Sequence, residues 1–314
     1  MKIKISMRYF IAIALFTFIS FRIYYRTTDD FRIGNIMHDM PHQESWEIAD
    51  LSTEENSLLE HIFNQKFTYI GKGAQSYAFA SEDDKYVIKF FKFKHLKPSW
   101  FVDNLPSISP LKEFREIQQY KKKRKLLSVF NGYRLAYDVH KPESGLIYVH
   151  LNKSNNLKKQ VTVKDKIGFT RSINLDDVNF VVQEKVLTSR KVIFDALGDG
   201  DVALAKMYIH KLFDLYLSEY SKGIYDHDHG VLHNTGFANG KPVHLDVGKL
   251  YRDENIHKSE YSQKDLTIVA TKIAQRVYDR FPEYHKDLVI DMDNYFKEVF
   301  NQSAGLYEKC CLRQ

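Results

Sequence analysis

Cysteine is scarce in this chain of 314 residues, which contains only Cys310 and Cys311, adjacent near the C-terminus. Two neighbouring thiols cannot build a disulfide framework, so a small secreted fold held by disulfides is excluded and a reducing compartment is favoured. The sequence also lacks internal repeats and low-complexity tracts. An extreme charge balance is lacking too, because the net charge is only +6 and the isoelectric point is about 8.9.

The composition is that of a globular protein, with 44% hydrophobic and 27% charged residues. Such a composition does not favour disorder, and the length suffices for one two-lobed domain or two small domains. The mildly basic balance suits an anionic partner such as a nucleotide or a membrane surface. We expect no nucleic-acid partner.

The N-terminus carries an apolar run over residues 9–21, preceded by Lys2, Lys4 and Arg8 and followed by Arg22. A basic stretch followed by an apolar one is typical of a signal peptide or a signal anchor. Large and basic residues stand where a cleavage site requires small ones, so we predict an uncleaved single-pass membrane anchor over residues 1–26. A cleaved signal or a peripheral helix is the alternative. The side of the membrane stays undetermined, because Lys and Arg flank both ends.

The next region has the pattern of a helix followed by an antiparallel meander. Ser52 and Glu55 have the spacing of a capping box in front of a helical repeat. Three strands are predicted, and a glycine-rich turn connects the first strand to the second. Rossmann and Walker phosphate loops are thereby excluded, because both need a helix after the glycines. The strands are predicted at 67–70, 77–80 and 85–91.

The rest of the chain changes from mixed to mainly helical patterns. A helix is predicted to begin at Ser109-Pro110, paired strands at 133–139 and 146–151, and a hairpin at 160–175. A helical stripe then ends at Gly223. Strands followed by helices predict an α+β, two-lobed domain. The predicted division is a linker at 27–51, a first lobe at 52–187 and a second lobe at 188–314.

Four short motifs occur in an order that resembles the protein-kinase-like superfamily over roughly residues 66–300. GKGAQSYA at 71–78 resembles the glycine-rich loop, with serine in place of the third glycine, and VIK at 87–89 resembles the strand motif with the nucleotide-binding lysine. GIYDHD at 223–228 resembles the approach to the catalytic loop, and DVG at 246–248 resembles the magnesium-binding triplet.

The resemblance implies a two-lobed kinase fold and the use of ATP with Mg²⁺. Backbone amides of the glycine turn would hold phosphates, and a lysine paired with a helix glutamate would hold the α- and β-phosphates. An aspartate would orient the attacking hydroxyl, two residues would bind Mg²⁺, and backbone groups between the lobes would receive adenine. The glycine turn would contribute Gly71, Gly73 and Ser76, and the lysine–glutamate pair would be Lys89 with Glu116 (or Glu113). The orienting aspartate would be Asp228, and the Mg²⁺ ligands would be Asp246 and Asn234. The adenine segment would contain Gln183 and Glu184.

The chain departs from the family pattern around the catalytic loop. Asn234 follows Asp228 by six residues rather than five, Asp226 replaces the usual histidine, and Ala-Pro-Glu does not follow the triplet. These departures fit a divergent, small-lobed kinase similar to the aminoglycoside, choline or lipopolysaccharide kinase branches. The substrate class stays open between a protein, a lipid or glycan head group and a small molecule.

Two other interpretations stay open. A membrane-tethered pseudokinase would keep the fold as an interaction module without phosphate transfer. A metal-dependent hydrolase would use Asp226, His227, Asp228 and His229, with His233 and His244 nearby, since imidazole and carboxylate suit Zn, Mn or Fe.

Overall fold

The computed structural model describes residues 7–311, so Lys2 and Lys4, predicted to flank the anchor, lie outside the described residues. The chain forms two compact units, and each is described by itself. Unit 1 comprises Met1–Lys123 and His150–Val182, and unit 2 comprises Arg124–Val149 and Gln183–Gln314. The predicted domain boundaries at 51, 187 and 188 stay predictions.

The first half of the chain contains most of the strands. Its elements in order are α1 (Met7–Thr28), α2 (Ile33–Ile36), α3 (Thr53–Phe63), β1 (Lys66–Lys72), β2 (Ser76–Ser81), β3 (Tyr86–Phe91), α4 (Phe93–Leu96), α5 (Trp100–Asp103), α6 (Leu111–Val139), α7 (Lys141–Ser144), β4 (Leu146–His150), β5 (Gln160–Lys164), β6 (Thr170–Asn174) and β7 (Phe180–Glu184).

The second half is mainly helical. Its elements are β8 (Leu187–Thr188), α8 (Ser189–Gly198), α9 (Val202–Ser221), β9 (Ile224–Asp226), α10 (Val231–Asn234), β10 (Thr235–Ala238), β11 (Lys241–His244), β12 (Leu250–Arg252), α11 (Ser259–Tyr278), α12 (Pro282–Phe300) and α13 (Leu306–Cys311). Short 3-10 helices occur at Glu44–Trp46, Leu175–Asp177 and Glu254–His257.

Helix α1 contains the long apolar run of the N-terminus. Within its segment Tyr9–Thr28 a stretch of 18 residues has a mean hydropathy of 1.3, and none of that stretch is buried. By length and composition it can cross a membrane, a test that signal sequences also pass.

Unit 1 is built on a sheet in which the strands lie in the order β7, β3, β2, β1, β5, β6. Strands β1, β2 and β3 form the predicted antiparallel meander, and β5 and β6 form the predicted hairpin. The hairpin joins the sheet through a parallel pairing of β5 with β1. The predicted capping box is also present: Ser52 Oγ accepts from Glu55 N, and a Glu55 carboxylate oxygen accepts from Ser52 N.

The segment between α1 and α3 packs on this sheet, although its polar sequence predicted a linker. Phe31, Ile36 and Trp46 are buried. The Phe31 ring lies 5.2 Å from the ring of Tyr77 and 4.9 Å from that of Phe79, both on β2. Three isolated apolar residues have no period, so the sequence pattern did not reveal this packing.

The strand predicted at 133–139 is wrong, because these residues form the last turns of the 29-residue helix α6. In unit 2 the buried side chains of this helix follow the spacing of one helical face, which outweighs the strand propensity of its tyrosines and valines. They are Leu126, Val129, Phe130, Tyr133 and Ala136.

Unit 2 has a helical core with two small strand groups beside it. Side chains of α8, α9, α11, α12 and α13 share one apolar cluster. Strand β10 pairs with β11 and β8, and β12 pairs with β9. Helix α9 ends at Ser221, and the predicted helix-terminating Gly223 follows the C-cap Lys222. Its φ of +68° is a left-handed conformation that glycine adopts without a Cβ penalty.

Candidate functional site

The predicted phosphate-binding turn lies between β1 and β2 in unit 1. The Gly73 amide donates to the carbonyl of Ser76 at 3.0 Å, which closes the turn, and the register shifts between Tyr69 and Gly71. A Cβ on Gly71 or Gly73 would meet no atom within 4 Å. The turn therefore has open space beside both glycines, as the approach of a phosphate to backbone amides requires.

Lys89 lies on β3 directly opposite Ala78 of β2. Directly paired residues of antiparallel strands share one face of a sheet, so the lysine and the alanine that follows the glycine turn lie side by side. Lys89 is partly buried in a strand whose other residues are mostly buried. The role in nucleotide binding stays a prediction.

Sequence reasoning missed a second lysine at this turn. Lys92 is only 3% exposed, and its Nζ donates to the Gly73 carbonyl at 2.6 Å. Its backbone amide donates to the Gln75 carbonyl at 2.7 Å, and its Nζ lies 4.4 Å from the centre of the Tyr77 ring. Burial, helped by the charge of Lys72, lowers the pKa of Lys92 to about 8. The feature of the sequence that could have indicated this residue is its position directly after the apolar pair at 90–91, at the end of a buried strand.

Glu116, predicted to pair with Lys89, lies in the N-terminal part of α6. Its side chain is 59% exposed and is 4.0 Å from Nζ of Lys112. Glu113, the alternative, is also exposed. The pairing of either glutamate with Lys89 stays a prediction.

In unit 2 the two predicted magnesium ligands are brought together by the backbone. The carbonyl of Asn234 accepts from the amide of Leu245 at 2.6 Å and from the amide of Asp246 at 3.3 Å. These contacts extend the β10–β11 pairing, in which Thr235 lies opposite His244. The two residues thus flank the open end of one hairpin, although twelve positions separate them in the sequence.

The six-residue spacing between Asp228 and Asn234 is accommodated by a tight turn. His229 adopts a left-handed φ of +48°, and α10 follows, with the Asn234 amide 2.8 Å from the Gly230 carbonyl. A Cβ on Gly230 would lie 2.5 Å from Nδ2 of Asn234. The Asn234 side chain thus folds back over the turn, into the space that the absence of a Cβ at Gly230 leaves open.

Helix α6 packs against the Asp246 triplet at a second glycine. A Cβ on Gly132 would lie 2.4 Å from the carbonyl oxygen of Val247 and 2.9 Å from the carbonyl carbon of Gly248. The neighbouring Tyr133 is buried, and burial together with the charge of Asp246 raises the pKa of its hydroxyl. The triplet thus lies directly on the helix surface.

The predicted catalytic aspartate, Asp228, lies in the loop after β9. Its carboxylate is 42% exposed and forms an ion pair with Lys249 at 3.0 Å. Its amide donates to the carboxylate of the buried Asp226 at 2.9 Å. His229 Nε2 lies 2.6 Å from the carboxylate of Asp265, and that hydrogen bond, opposed by burial, raises the pKa of His229. The loop is thus fixed on both sides of Asp228.

Asp226 leads into a buried chain of charged groups. Its carboxylate lies 3.5 Å from Nε2 of His244, whose Nδ1 lies 2.6 Å from the carboxylate of Glu219. Nε2 of His140 lies 3.1 Å from the same Glu219 oxygen. Burial opposes both charges, but their attraction outweighs it: the pKa of Glu219 falls to about 2, and that of His244 rises.

The six residues of the hydrolase interpretation do not form one cluster among residues 7–311. Asp226 and His244 are buried, His227, Asp228 and His233 are exposed, and His229 contacts Asp265. Within that described part, His140, Glu219 and His244 are three side chains whose potential ligand atoms lie within 4.8 Å of one another.

Gln183 and Glu184, predicted to lie at the adenine site, both have contacts within unit 2. The Gln183 amide donates to the carbonyls of Ser144 at 2.8 Å and Leu245 at 3.3 Å. The backbone amide of Glu184 donates to the carbonyl of Gly145 at 2.8 Å. Adenine binding by this segment stays a prediction.

No protein-family model matches the sequence, and a search of curated proteins gives no match. Solved structures that are similar to this chain include WbdD with a kinase inhibitor, at a TM-score of 0.34 and 13% identity over 65% of this chain and 37% of the other. A structure described as the bifunctional kinase-methyltransferase WbdD gives a TM-score of 0.33 and 13% identity over 62% and 34%. The chain therefore spans about a third of the WbdD chains.

A third similar structure is the ternary complex of streptomycin, ATP and APH(2")-IIa, at a TM-score of 0.25 and 12% identity over 83% of this chain and 99% of the other. The chain's own elements define its fold: a glycine turn between antiparallel strands and a lysine on the third strand, followed by a helical unit with a DVG triplet after a hairpin. The chain thus has a protein-kinase-like fold.

Proposed function

We propose that this protein is an ATP- and Mg²⁺-dependent phosphotransferase that transfers the γ-phosphate to a hydroxyl group. The observation that supports it most directly is the pairing of Asn234 with Asp246 through the Asn234 carbonyl. An amide oxygen and a carboxylate at one hairpin end provide the hard oxygen ligands that Mg²⁺ takes in nucleotide sites, where phosphates and water complete the coordination. The room that Gly230 leaves for the Asn234 side chain fits this use.

The proposed roles follow from the charge that phosphoryl transfer must neutralise. The amides of the 71–76 turn and the ammonium of Lys89 would bind phosphate oxygens. Asp246 and Asn234 would hold Mg²⁺, which supplies charge neutralisation at the phosphates when bound. Asp228 would orient the substrate hydroxyl and accept its proton. In the structure the Asp228 carboxylate forms an ion pair with Lys249 at 3.0 Å, which holds it in the loop after β9.

We further propose that α1 is a single-pass membrane anchor. Its apolar side chains are exposed along its whole apolar segment, and a segment of 20 residues matches the thickness of a bilayer core. Arg26 lies in its last turn, where a basic residue suits a lipid head-group region.

The decisive experiment measures Mg-ATP binding and γ-phosphate turnover by the full chain in detergent or nanodiscs. We expect Lys89→Ala and Asp246→Ala to weaken nucleotide binding and to lower turnover by about a hundredfold or more. Asp228→Asn should retain binding while losing transfer. The matched controls Lys85→Ala and Glu298→Gln change exposed residues of the same charge types and should behave like wild type.

The pseudokinase alternative has its own outcome in the same assay. Nucleotide-dependent thermal stabilisation without any turnover in wild type would favour the pseudokinase. Normal binding and turnover in both Lys89→Ala and Asp246→Ala would contradict the kinase assignment.

A further inference from the structure

The end of α1 is held rigidly by unit 1. Asp29 and Asp30 follow the helix with left-handed φ values of +52° and +63°, which non-glycine residues rarely adopt. The Asp29 carboxylate accepts from the Tyr69 hydroxyl at 3.0 Å and is paired with Lys72 at 3.0 Å and Lys166 at 3.1 Å. The last turn of α1 therefore has a fixed position on this unit.

The turn between β5 and β6, residues 165–169, lies next to that helix end. Nζ of Lys166 is 3.5 Å from the backbone carbonyl of Arg26, in the last turn of α1. Two large apolar side chains of the turn point to the outside: Ile167 is 44% exposed and Phe169 is 61% exposed.

These two side chains stand on a well-ordered turn. The carboxylate of the buried Asp165 accepts from the amides of Ile167 at 3.2 Å and Phe169 at 2.9 Å, and also from the guanidinium of Arg171. The exposure of the apolar pair is thus built into the turn. Neighbouring apolar groups that are held on the surface in this way form a candidate interaction site when further apolar groups adjoin them.

The sheet register places a third apolar side chain at the same end. In the parallel pairing of β1 with β5, Thr68 lies opposite Lys164, so both strands continue past this pair in the same direction. Ile70 follows on β1 and is 50% exposed. The glycine turn at 71–76 follows directly.

The charges around these side chains are arranged with the cations outside. Lys72 and Lys166 are 43% exposed, and Lys94, which is paired with Asp30, is 46% exposed. Their acidic partners Asp29 and Asp30 are only 18% and 12% exposed. The outer surface beside α1 therefore carries positive charge around exposed apolar groups.

We propose that Ile70, Ile167 and Phe169 insert into the head-group region of the bilayer that α1 crosses, with Lys72, Lys94 and Lys166 contacting anionic lipid. This bilayer contact rests on the proposed anchor and adds a second attachment to it. Apolar groups surrounded by lysines are the composition of interfacial membrane-binding surfaces. A lipid surface is the partner because the apolar groups and the cations lie at the end of the membrane helix itself. If these residues contact the bilayer, the adjoining glycine turn at 71–76 lies at the membrane surface.

The test places an environment-sensitive NBD fluorophore on single cysteines in the full chain, with Cys310 and Cys311 replaced by serine. Phe169→Cys reports on the bilayer contact. Glu82→Cys is the matched control, because the β2–β3 turn is exposed and lies at the other end of the β1–β2 pairing. Ile19→Cys reports on α1. The chain is reconstituted in vesicles of phosphatidylcholine and phosphatidylglycerol in equal parts, and in phosphatidylcholine vesicles.

We expect the label at residue 169 to show blue-shifted emission and quenching by lipids that carry a spin label near the head group, more strongly in the anionic vesicles. The label at 82 should be quenched by aqueous iodide instead. If residue 19 is quenched by spin labels at the bilayer centre while residue 169 behaves like residue 82, the bilayer contact is refuted and the anchor stands. If residue 19 is quenched by iodide, both are refuted. Neither result depends on phosphate transfer.

Discussion

The backbone amide of Asp246 lies 3.3 Å from the carbonyl oxygen of Asn234. This contact joins two residues that the sequence separates by a complete hairpin, so the geometry of β10 and β11 decides whether both side chains can serve one ion. The backbone hydrogen bonds fix the main chain of the two proposed ligands, so it should change little in position when a side chain nearby is replaced. Their side chains can instead be displaced by crowding, and the chain offers two glycines where this can be tested.

Gly230→Ala should raise the Mg²⁺ concentration needed for half-maximal turnover. The new methyl group would occupy the space 2.5 Å from Nδ2 of Asn234, so the amide must move away from its place above the turn. We expect roughly a tenfold higher Mg²⁺ requirement, which corresponds to a cost of about 1.4 kcal/mol. The measurement is a Mg²⁺ titration of turnover at saturating ATP.

Gly198→Ala is the matched control, because a Cβ at this α8 position would meet no atom within 4 Å. It should leave the Mg²⁺ requirement unchanged. An unchanged requirement in Gly230→Ala as well would contradict the role of Asn234 as a ligand.

Gly132→Ala should impair turnover and also lower the stability of unit 2. Its methyl group would lie 2.4 Å from the carbonyl oxygen of Val247, and backbone atoms cannot move aside as a flexible side chain can. Overpacking of this kind costs about 1–3 kcal/mol. The expected signature is a lower Tm together with weaker stabilisation by Mg-ATP, because the shift reaches Asp246. A lower Tm with unchanged Mg-ATP stabilisation would show that Gly132 supports only the packing.

Lys92→Met should weaken ATP binding while leaving the chemical step intact. The substitution keeps the apolar stem but removes the hydrogen bond from Nζ to the Gly73 carbonyl, so the glycine turn loses a fixed contact. One such bond contributes about 1 kcal/mol, so the KM for ATP should rise about fivefold with little change in kcat. Lys85→Met, at an exposed turn position, is the control. A loss of kcat instead would assign Lys92 a direct role in transfer.

The sequence predicted the parts of this fold that depend on local pattern. The capping box at Ser52, the meander over β1–β3 and the helix end at Gly223 each follow from residues a few positions apart, and the structure confirms them. The order of the four motifs also sufficed to indicate a protein-kinase-like fold.

Features that depend on distant packing were not predictable in this way. The strand predicted at 133–139 is helical, because burial on one face of α6 decides its conformation. The contact of Lys92 with Gly73 joins residues 19 positions apart in the sequence, and no local pattern predicts it. The buried partners of Asp226 come from α9 and β11, and no spacing rule connects His244 with Glu219.

The buried pair of Glu219 and His244 should make stability depend on pH in both directions. The pKa of Glu219 lies near 2 in the folded state, below its ordinary 4.5, so its contribution is present above pH 4.5 and is lost as pH falls toward 2. The pKa of His244 is raised above its ordinary 6.5, so its contribution is complete below pH 6.5 and is lost as pH rises through the raised value. The free energy of unfolding should therefore be highest between these limits, as urea unfolding from about pH 3 to about pH 9 would measure.

His244→Gln tests whether this pair is the source of that profile. Removal of the imidazolium leaves the Glu219 and Asp226 carboxylates buried with one cation fewer, which should cost about 3–5 kcal/mol at neutral pH. The loss of stability on the alkaline side should also become smaller, because the raised pKa of His244 no longer contributes to it and that of the partly exposed His229 remains. His233→Gln, which replaces an exposed histidine of the same unit, should keep the wild-type profile. An alkaline decline of undiminished size in His244→Gln would place the responsible group elsewhere.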